Sequence, residues 1–214
     1  DTGGQDECLG EDDFDSAECQ AVASGDAGIR YVDGDLTLSG DGTSWAEAFV
    51  HVQEAIDAAR CVALENGSAQ VWVKAGTYHV HQGCMTDTIR LRPDVELYGG
   101  FAGDETALEQ RDVETNETVL HGHSIDGPNS ECLVSEYDPC DTGRTLHVVT
   151  VEEAGHIDGF TVRGGYASPL GWDSDSMSFD SLTVDGGGLI ARQAVVQISN
   201  CIFADNIART MWDI

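Results

Sequence analysis

Two segments of this chain, Ile157–Ala167 (IDGFTVRGGYA) and Ile198–Ala208 (ISNCIFADNIA), align without a gap at an offset of 41 residues. Each has an apolar residue, a two-residue polar turn, a short strand-like run, then Gly or Asn and a small residue. Such self-similarity is what stacked repeats produce, because each copy buries its apolar faces against the next. The offset fits two short coils, or one coil carrying an insertion. The rest of the chain reads the same way. After Gly67 come many short β-type runs punctuated by Gly and Asn: Val71–Val73, Val95–Tyr98, Thr118–Leu120, Leu146–Val151, Ile157–Val162, Val195–Ile198 and Cys201–Phe203. That pattern suggests a sandwich, a barrel or a solenoid, and the repeat favours the solenoid.

One amphipathic helix precedes this region. Trp45, Phe49, Val52, Ile56 and Ala59 recur at three and four, and Ser44 with Glu47 forms a capping-box pattern, so a helix is expected over residues 44–60. No second helix of similar quality follows, which excludes an alternating βα fold. Residues 1–28 carry nine acids and no base, the composition of a solvated leader. The ordered domain is therefore expected over 29–214, with coils from about residue 70 and loop insertions at 121–145 and 166–186.

Charge narrows the partners. The chain has 39 Asp and Glu against 10 Lys and Arg, a formal charge of −29. With no basic stripe, an acidic surface repels phosphate backbones, so nucleic acid is not expected as a partner. No apolar run approaches the roughly 18 residues of a membrane span, so no transmembrane segment is expected. Seven cysteines form no C-x-x-C pair. Six of them, Cys8, Cys19, Cys61, Cys84, Cys132 and Cys140, are expected in disulfides. Sequence neighbours suggest Cys8–Cys19, Cys61–Cys84 and Cys132–Cys140, though six cysteines allow 15 connectivities. Cys201 is left as a buried free thiol. Disulfides and acidity together point to an extracellular or cell-surface location.

These residues carry a family resemblance. Tyr31-Val32, Gly42-Thr-Ser-Trp45, Ala48-Phe49, Gln53 and Ala55-Ile56, followed by Val71-Trp-Val-Lys-Ala-Gly-Thr-Tyr78, resemble the N-terminal cap and first coil of pectin-lyase-like proteins. Gly99-Gly-Phe-Ala-Gly-Asp-Glu-Thr106, Gln110-Arg-Asp112 and Thr118-Val-Leu120 look like the next segment of secreted members of that superfamily. Gly187-Gly-Leu-Ile190 with Phe203-Ala-Asp-Asn206 is similar to the paired motifs of polymorphic outer-membrane protein repeats. The resemblance spans roughly 29–209. It implies an all-β, right-handed parallel β-helix (a solenoid) with an N-terminal amphipathic capping helix, secreted or attached to a surface. It implies no particular chemistry, since that superfamily includes lyases, hydrolases, adhesins and structural spikes.

The function expected is a secreted or cell-surface structural or adhesive module, self-assembling head to tail into a filament. The terminal coil would otherwise be covered by further coils beyond Ile214. The alternative is a carbohydrate-active enzyme, a lyase or hydrolase, or a carbohydrate-binding module. Carbohydrate and cell-surface proteins are the outside partners expected. For a lyase the resemblance asks for a basic residue, and Lys74, Arg163 and Arg192 are the candidates. For a hydrolase Asp158, Asp173, Asp175, Asp180 and Asp185 are available, but no spacing singles out a pair. No catalytic residue is therefore assigned. His79-Val-His81 and His121-Gly-His123 each place two imidazoles on one strand face, a spacing that suits one metal ion. The plainer reading is two polar residues at a turn. In the 166–186 insertion, Trp172, Met177 and Phe179 stand as large apolar groups among Asp and Ser, candidates for stacking on a sugar or anchoring a protein. Asp173, Asp175 and Asp180 are the candidate calcium ligands, and calcium is the only cofactor expected.

Overall fold

Short β-branched and aromatic runs, stopped by Gly, Asn or Asp, become strands along most of this chain. The structure is a computed structural model, and it describes residues 19, 27–125, 143–167 and 185–208. In chain order the first strands are β1 (Ile29–Val32), β2 (Ala69–Lys74), β3 (Gly76–His79), β4 (Ile89–Leu91), β5 (Val95–Phe101) and β6 (Thr118–His121). Next come β7 (Val149–Val151), β8 (Ala154–Asp158), β9 (Phe160–Arg163) and β10 (Tyr166–Ala167). The last are β11 (Leu189–Ala191), β12 (Val195–Ser199), β13 (Ile202–Ala204) and β14 (Ile207–Ala208). One α-helix, α1 (Val52–Asn66), separates β1 from β2.

The strands make four small sheets, and every pairing within them is parallel. Their orders are β1-β2-β5-β8-β12, β3-β6-β9-β13, β4-β7-β11 and β10-β14. Parallel strands buried on both faces need continuous apolar runs, and β7 (Val149-Thr-Val151) is buried at all three positions. The two copies of the sequence repeat lie side by side. Ile198 pairs with Ile157, Phe203 with Val162 and Ile207 with Tyr166, the same offset of 41 throughout. The paired motifs meet as well. Asn206 donates from Nδ2 to the Val162 carbonyl at 2.8 Å, and its Oδ1 accepts from the Gly165 amide at 3.0 Å. A Cβ on Gly188 would lie 2.7 Å from that Nδ2, so only glycine fits beside it.

The helix lies against the sheets rather than outside them. Val52, Ala55, Ile56, Ala59, Val62 and Ala63 are buried against β1, β2, β4 and β5. Each of the three larger side chains contributes about 1.5–3 kcal/mol by leaving water. Gly67 ends the helix in the left-handed region, φ 90°, and its amide donates to the Ala63 carbonyl at 2.8 Å. A second, aromatic cluster covers the first sheet elsewhere. Trp72 stacks on Phe101 at 4.8 Å, and Tyr31 meets Trp45 edge-on at 4.8 Å.

This arrangement corrects the expected fold class. The described chain is mostly β but not all-β, because α1 supplies part of the main core. It is also several separate small parallel sheets rather than the single regular coil of a right-handed parallel β-helix (solenoid). The ladder from Ile29 to Gln70, Glu96, His156 and Gln197 advances by unequal steps, so no constant repeat underlies it. The physical reason is the connections: parallel neighbours need long crossovers, and here these differ in length at each step. The helix expected over 44–60 is corrected too. Ser44 caps only a short 3-10 turn, Trp45–Glu47, and α1 begins at Val52. Phe49 is drawn away as a β-bridge partner of Val32, donating to the Tyr31 carbonyl and accepting from the Asp33 amide.

The cysteine pairing departs from sequence proximity. Cys19 is joined to Cys61 on α1, across 42 residues of chain. The neighbour pairs Cys8–Cys19 and Cys61–Cys84 are therefore corrected, although Cys84 is disulfide-bonded as well. Cys8, Cys132 and Cys140 lie outside the described residues. Cys201 is a free, partly buried thiol. In the loop-closure account, a bond across this separation stabilises the fold by about 4 kcal/mol at 25 °C. The double variant Cys19→Ser/Cys61→Ser is expected to lose most of that. Urea unfolding would show a lower midpoint and a somewhat steeper slope, because the unfolded chain loses a cross-link and expands, and an unmoved midpoint would show that the bond does not tether the core.

Candidate functional site

The candidate residues gather where strands of the β3-β6-β9-β13 sheet end. His79, His121 and Arg163 are the last residues of β3, β6 and β9, and the parallel register sets them side by side. Neighbouring parallel strands lie about 4.8 Å apart, so three long polar side chains stack in one column. The His79 and His121 rings are 5.4 Å apart, and His123 meets His121 edge-on at 4.8 Å. His123 belongs to the neck of the 121–145 insertion. It forms an antiparallel bridge with Arg144, flanked by bonds from Ser124 N to Gly143 O and from Thr145 N to Gly122 O. That neck delivers Arg144 to the histidines.

Glycine makes the crowding possible. Gly164 has φ +81°, and a Cβ there would lie 2.7 Å from His123 Cδ2 and 3.2 Å from His121 Cε1. A cavity of about 450 Å³ remains, lined by His79, His121, His123, Arg144, Arg163 and Asp205, with Ser124, Ile125 and Gly164 completing the wall. A second hollow of about 490 Å³ adjoins it and shares His79 and Ile125; His81 lines only this one.

Hydrogen bonds assign the ring protons. The His123 amide donates to His121 Nδ1 at 3.1 Å, so neutral His121 carries its proton on Nε2. His79 Nδ1 lies 2.8 Å from the His123 carbonyl, which can only accept, so His79 is protonated there, and in the neutral ring Nε2 keeps a lone pair. Burial and then the Arg163, His79 and Arg144 charges push His121 below the ordinary histidine value. Burial, then Arg144, hold His123 down to about 4. At neutral pH His121 and His123 are therefore held in the uncharged form, and the arginines bring positive charge to the cavity.

The other candidates take structural places. Lys74 donates to Asp33 at 2.8 Å and Asp35 at 3.0 Å, and these bonds raise its pKa. It stays an ammonium and is unsuited to act as a base. Asp158 binds Arg111 at 2.8 Å and accepts from Asn200 at 2.8 Å, so it holds neighbouring strands together. Arg163 reaches the cavity, whereas Arg192 does not line it. Trp172, Met177, Phe179, Asp173, Asp175 and Asp180 lie outside the described residues. The H-x-H pairs split: His121 and His123 share the cavity, but His81 is separated from His79. Among the described residues no group of three or more His, Cys, Asp or Glu side chains is placed to hold a metal ion. Arg144 and Asp205 are cavity residues that the sequence did not single out. Arg144 is far from His79 in sequence, and only the bridge across the insertion neck joins them.

A second feature lies at the β12–β13 end of the sheets. Val195, Ile198, Ile202 and Phe203 are 72, 47, 61 and 43 % exposed. Their register partners one strand inward include Ile157 and Val162, both fully buried. No helix among the described residues is long and apolar enough to cross a membrane.

Comparison with known proteins adds little. Over 158 residues, 71% of this chain, the sequence is 25% identical to the regulatory protein E2 of human papillomavirus 28. The match takes in 36% of that protein, so the chain spans about a third of the relative's length. At that identity and coverage the likeness carries no function across. No family model matches the chain, and no solved structure does.

His123 generates a pH prediction. Its folded pKa, about 4, lies below the ordinary value of 6.5, so the unfolded chain takes up a proton first as pH falls. The stability it supports is complete above pH 6.5 and is lost on the way down to about 4. Its ring resonances are expected to titrate near pH 4 by NMR. The thermal midpoint of His123→Gln should fall less than that of the parent over this window. Equal losses in both proteins would assign the pH dependence to other groups.

Proposed function

We propose that this chain is a structural or adhesive module of the cell exterior that associates through its β12–β13 layer. The observation that carries the reading is the exposed apolar set of Val195, Ile198, Ile202 and Phe203, in which Ile198 and Phe203 stand in register with the fully buried Ile157 and Val162 one strand inward. An open strand edge with apolar side chains is a template for further pairing. The Cys19–Cys61 bond and the acid excess support an oxidising, extracellular setting.

The opposite end favours one mode of association. The outer edge of β1 is already occupied: Tyr31 donates to the Gly42 carbonyl, Phe49 to the Tyr31 carbonyl, and Asp33 to the Phe49 carbonyl, each at 2.9 Å. Head-to-tail stacking into a filament needs two different open edges, and this one is filled by the 42–49 segment. A second copy then offers the same β12–β13 layer, and the contact is isologous, a closed two-fold pair. Sedimentation equilibrium of the purified chain is expected to give a dimer. The double variant Ile202→Asp/Phe203→Asp, at exposed positions, should give a folded monomer by circular dichroism. A parent protein that stays monomeric at about 100 μM, far above the Kd of a stable pair, would overturn the reading.

A further inference from the structure

Basic side chains are scarce here, ten against 39 acids, so each one is expected beside a carboxylate. Most are. Arg60 pairs with Asp94, Lys74 with Asp33 and Asp35, Arg90 with Glu152, Arg92 with Asp57, and Arg111 with Asp158. Arg144 and Arg163 form no ion pair among the described residues, and both line the same cavity. Arg144 instead lies over the Tyr166 ring, 5.7 Å from its centre. Arg163 is the sharper case: its Nε is buried without a hydrogen-bond partner. Two guanidinium charges without a carboxylate partner on one hollow are best matched by an anionic acceptor that arrives from outside.

The remaining wall defines that acceptor. Two guanidinium groups favour an oxyanion and can bind it through paired N–H donors. His121 adds an Nε2–H donor, and the neutral ring of His79, its Nδ1 proton held by the His123 carbonyl, offers a lone pair at Nε2 that can take a proton from a ligand O–H. Asp205, also in the wall, disfavours a fully deprotonated anion. A ligand that presents several acceptor oxygens and one O–H meets all of these groups. Monohydrogen phosphate and the monoprotonated phosphomonoester have that form, whereas sulfate at neutral pH has no proton to give.

We propose that the cavity between Arg144, Arg163 and the His79–His121–His123 cluster is a binding site for a phosphate group, free or as a monoester. The arginines hold its oxygens, His121 donates to one of them, and His79 accepts from the protonated one. The site is independent of the β12–β13 association, because all its charged donors come from one copy of the chain.

The test uses the full chain, with inorganic phosphate, sulfate and glucose 6-phosphate as separate probes. Isothermal titration at pH 6.5 is paired with NMR of the histidine rings. Saturable phosphate binding, at least tenfold tighter than sulfate, with movement of the His121 and His123 resonances, is the expected result. Arg144→Gln and Arg163→Gln should each weaken it at least tenfold, and Arg60→Gln, at a surface ion pair, should leave it unchanged. Should Arg163→Gln fail to fold, Arg144→Gln and a phosphate-dependent rise in the parent's thermal midpoint decide the matter. Tighter binding of glucose 6-phosphate than of phosphate would identify an ester as the natural form, and the reverse would identify the free anion. No saturable binding, equal binding of sulfate, or unchanged affinity in both arginine variants would each overturn the proposal.

Discussion

Parallel pairing governs this molecule. A strand cannot return to its parallel neighbour through a tight turn, so the chain must leave each sheet after every strand and travel before it pairs again. Each strand end is therefore a departure point, and the residues there are held by the sheet on one side and opened to connecting segments on the other. The cavity forms at three such departure points, the ends of β3, β6 and β9. His79, His121 and Arg163 owe their closeness to backbone register alone. Between β6 and β9 the insertion folds its neck back, through the His123–Arg144 bridge, and adds two more cavity residues. The same constraint explains where the glycines matter. Consecutive departures at one height bring backbones and rings together, and Gly164 is the position where a side chain would collide with both His121 and His123.

Charge acts on a different scale. A chain of net charge −29 repels itself, which opposes compaction. The described bases answer this locally. Lys74 is held between two carboxylates near β1, and Arg111 ties Asp158 beneath the Tyr98 ring. The Lys74–Asp35 contact is largely exposed and worth little by itself, whereas Arg111 and Asp158 are mostly buried. Their weight is in their placement, since each joins elements distant in sequence. Against that pattern, two arginines gathered on one hollow are a local inversion of the surface field. Burial, and after it the Arg144 charge, keep His123 uncharged to about pH 4, so it adds no further charge to the pair at neutral pH.

Parts of this were legible in the sequence and parts were not, for physical reasons. The 41-residue repeat could be read because parallel neighbours in register occupy equivalent environments, so similar side chains recur, and Ile157 and Ile198 do pair. The helix start could not. Trp45 and Phe49 keep helical spacing with Val52 and Ile56, yet Phe49 is better satisfied by bonds to the β1 edge, a tertiary gain that local periodicity does not contain. The expected β-helix failed on the same ground: the sequence shows one interval clearly, whereas the ladder has unequal intervals set by insertions. Disulfide pairing follows distance in space, so Cys19 finds Cys61 on the packed helix rather than a neighbour along the chain. The histidine cluster was half visible. Each H-x-H run could be seen, but the partnership of His79 with His121 depends on the register of β3 against β6, and Arg144 has no local signal at all.

The two functional features meet at β13. Its residue Ala204 pairs with Arg163, and Asp205, the next residue, lines the cavity. The strand that exposes Ile202 and Phe203 therefore also carries a wall of the hollow. A further strand added to β13 would run alongside Ala204 and prolong the column that begins with His79. Association at the open layer and occupancy of the cavity are thus joined through one short strand, although neither requires the other. The asymmetry of the sheets gives this its direction. At β1 the backbone edge is closed by the chain's own 42–49 segment, and a Cβ on Gly42 would run into Phe49, so that closure is built on close packing. At β13 the apolar pattern is complete and nothing among the described residues covers it. Among the described residues the apolar side chains of this layer stay exposed, and the residue that follows it, Asp205, lines the charged cavity.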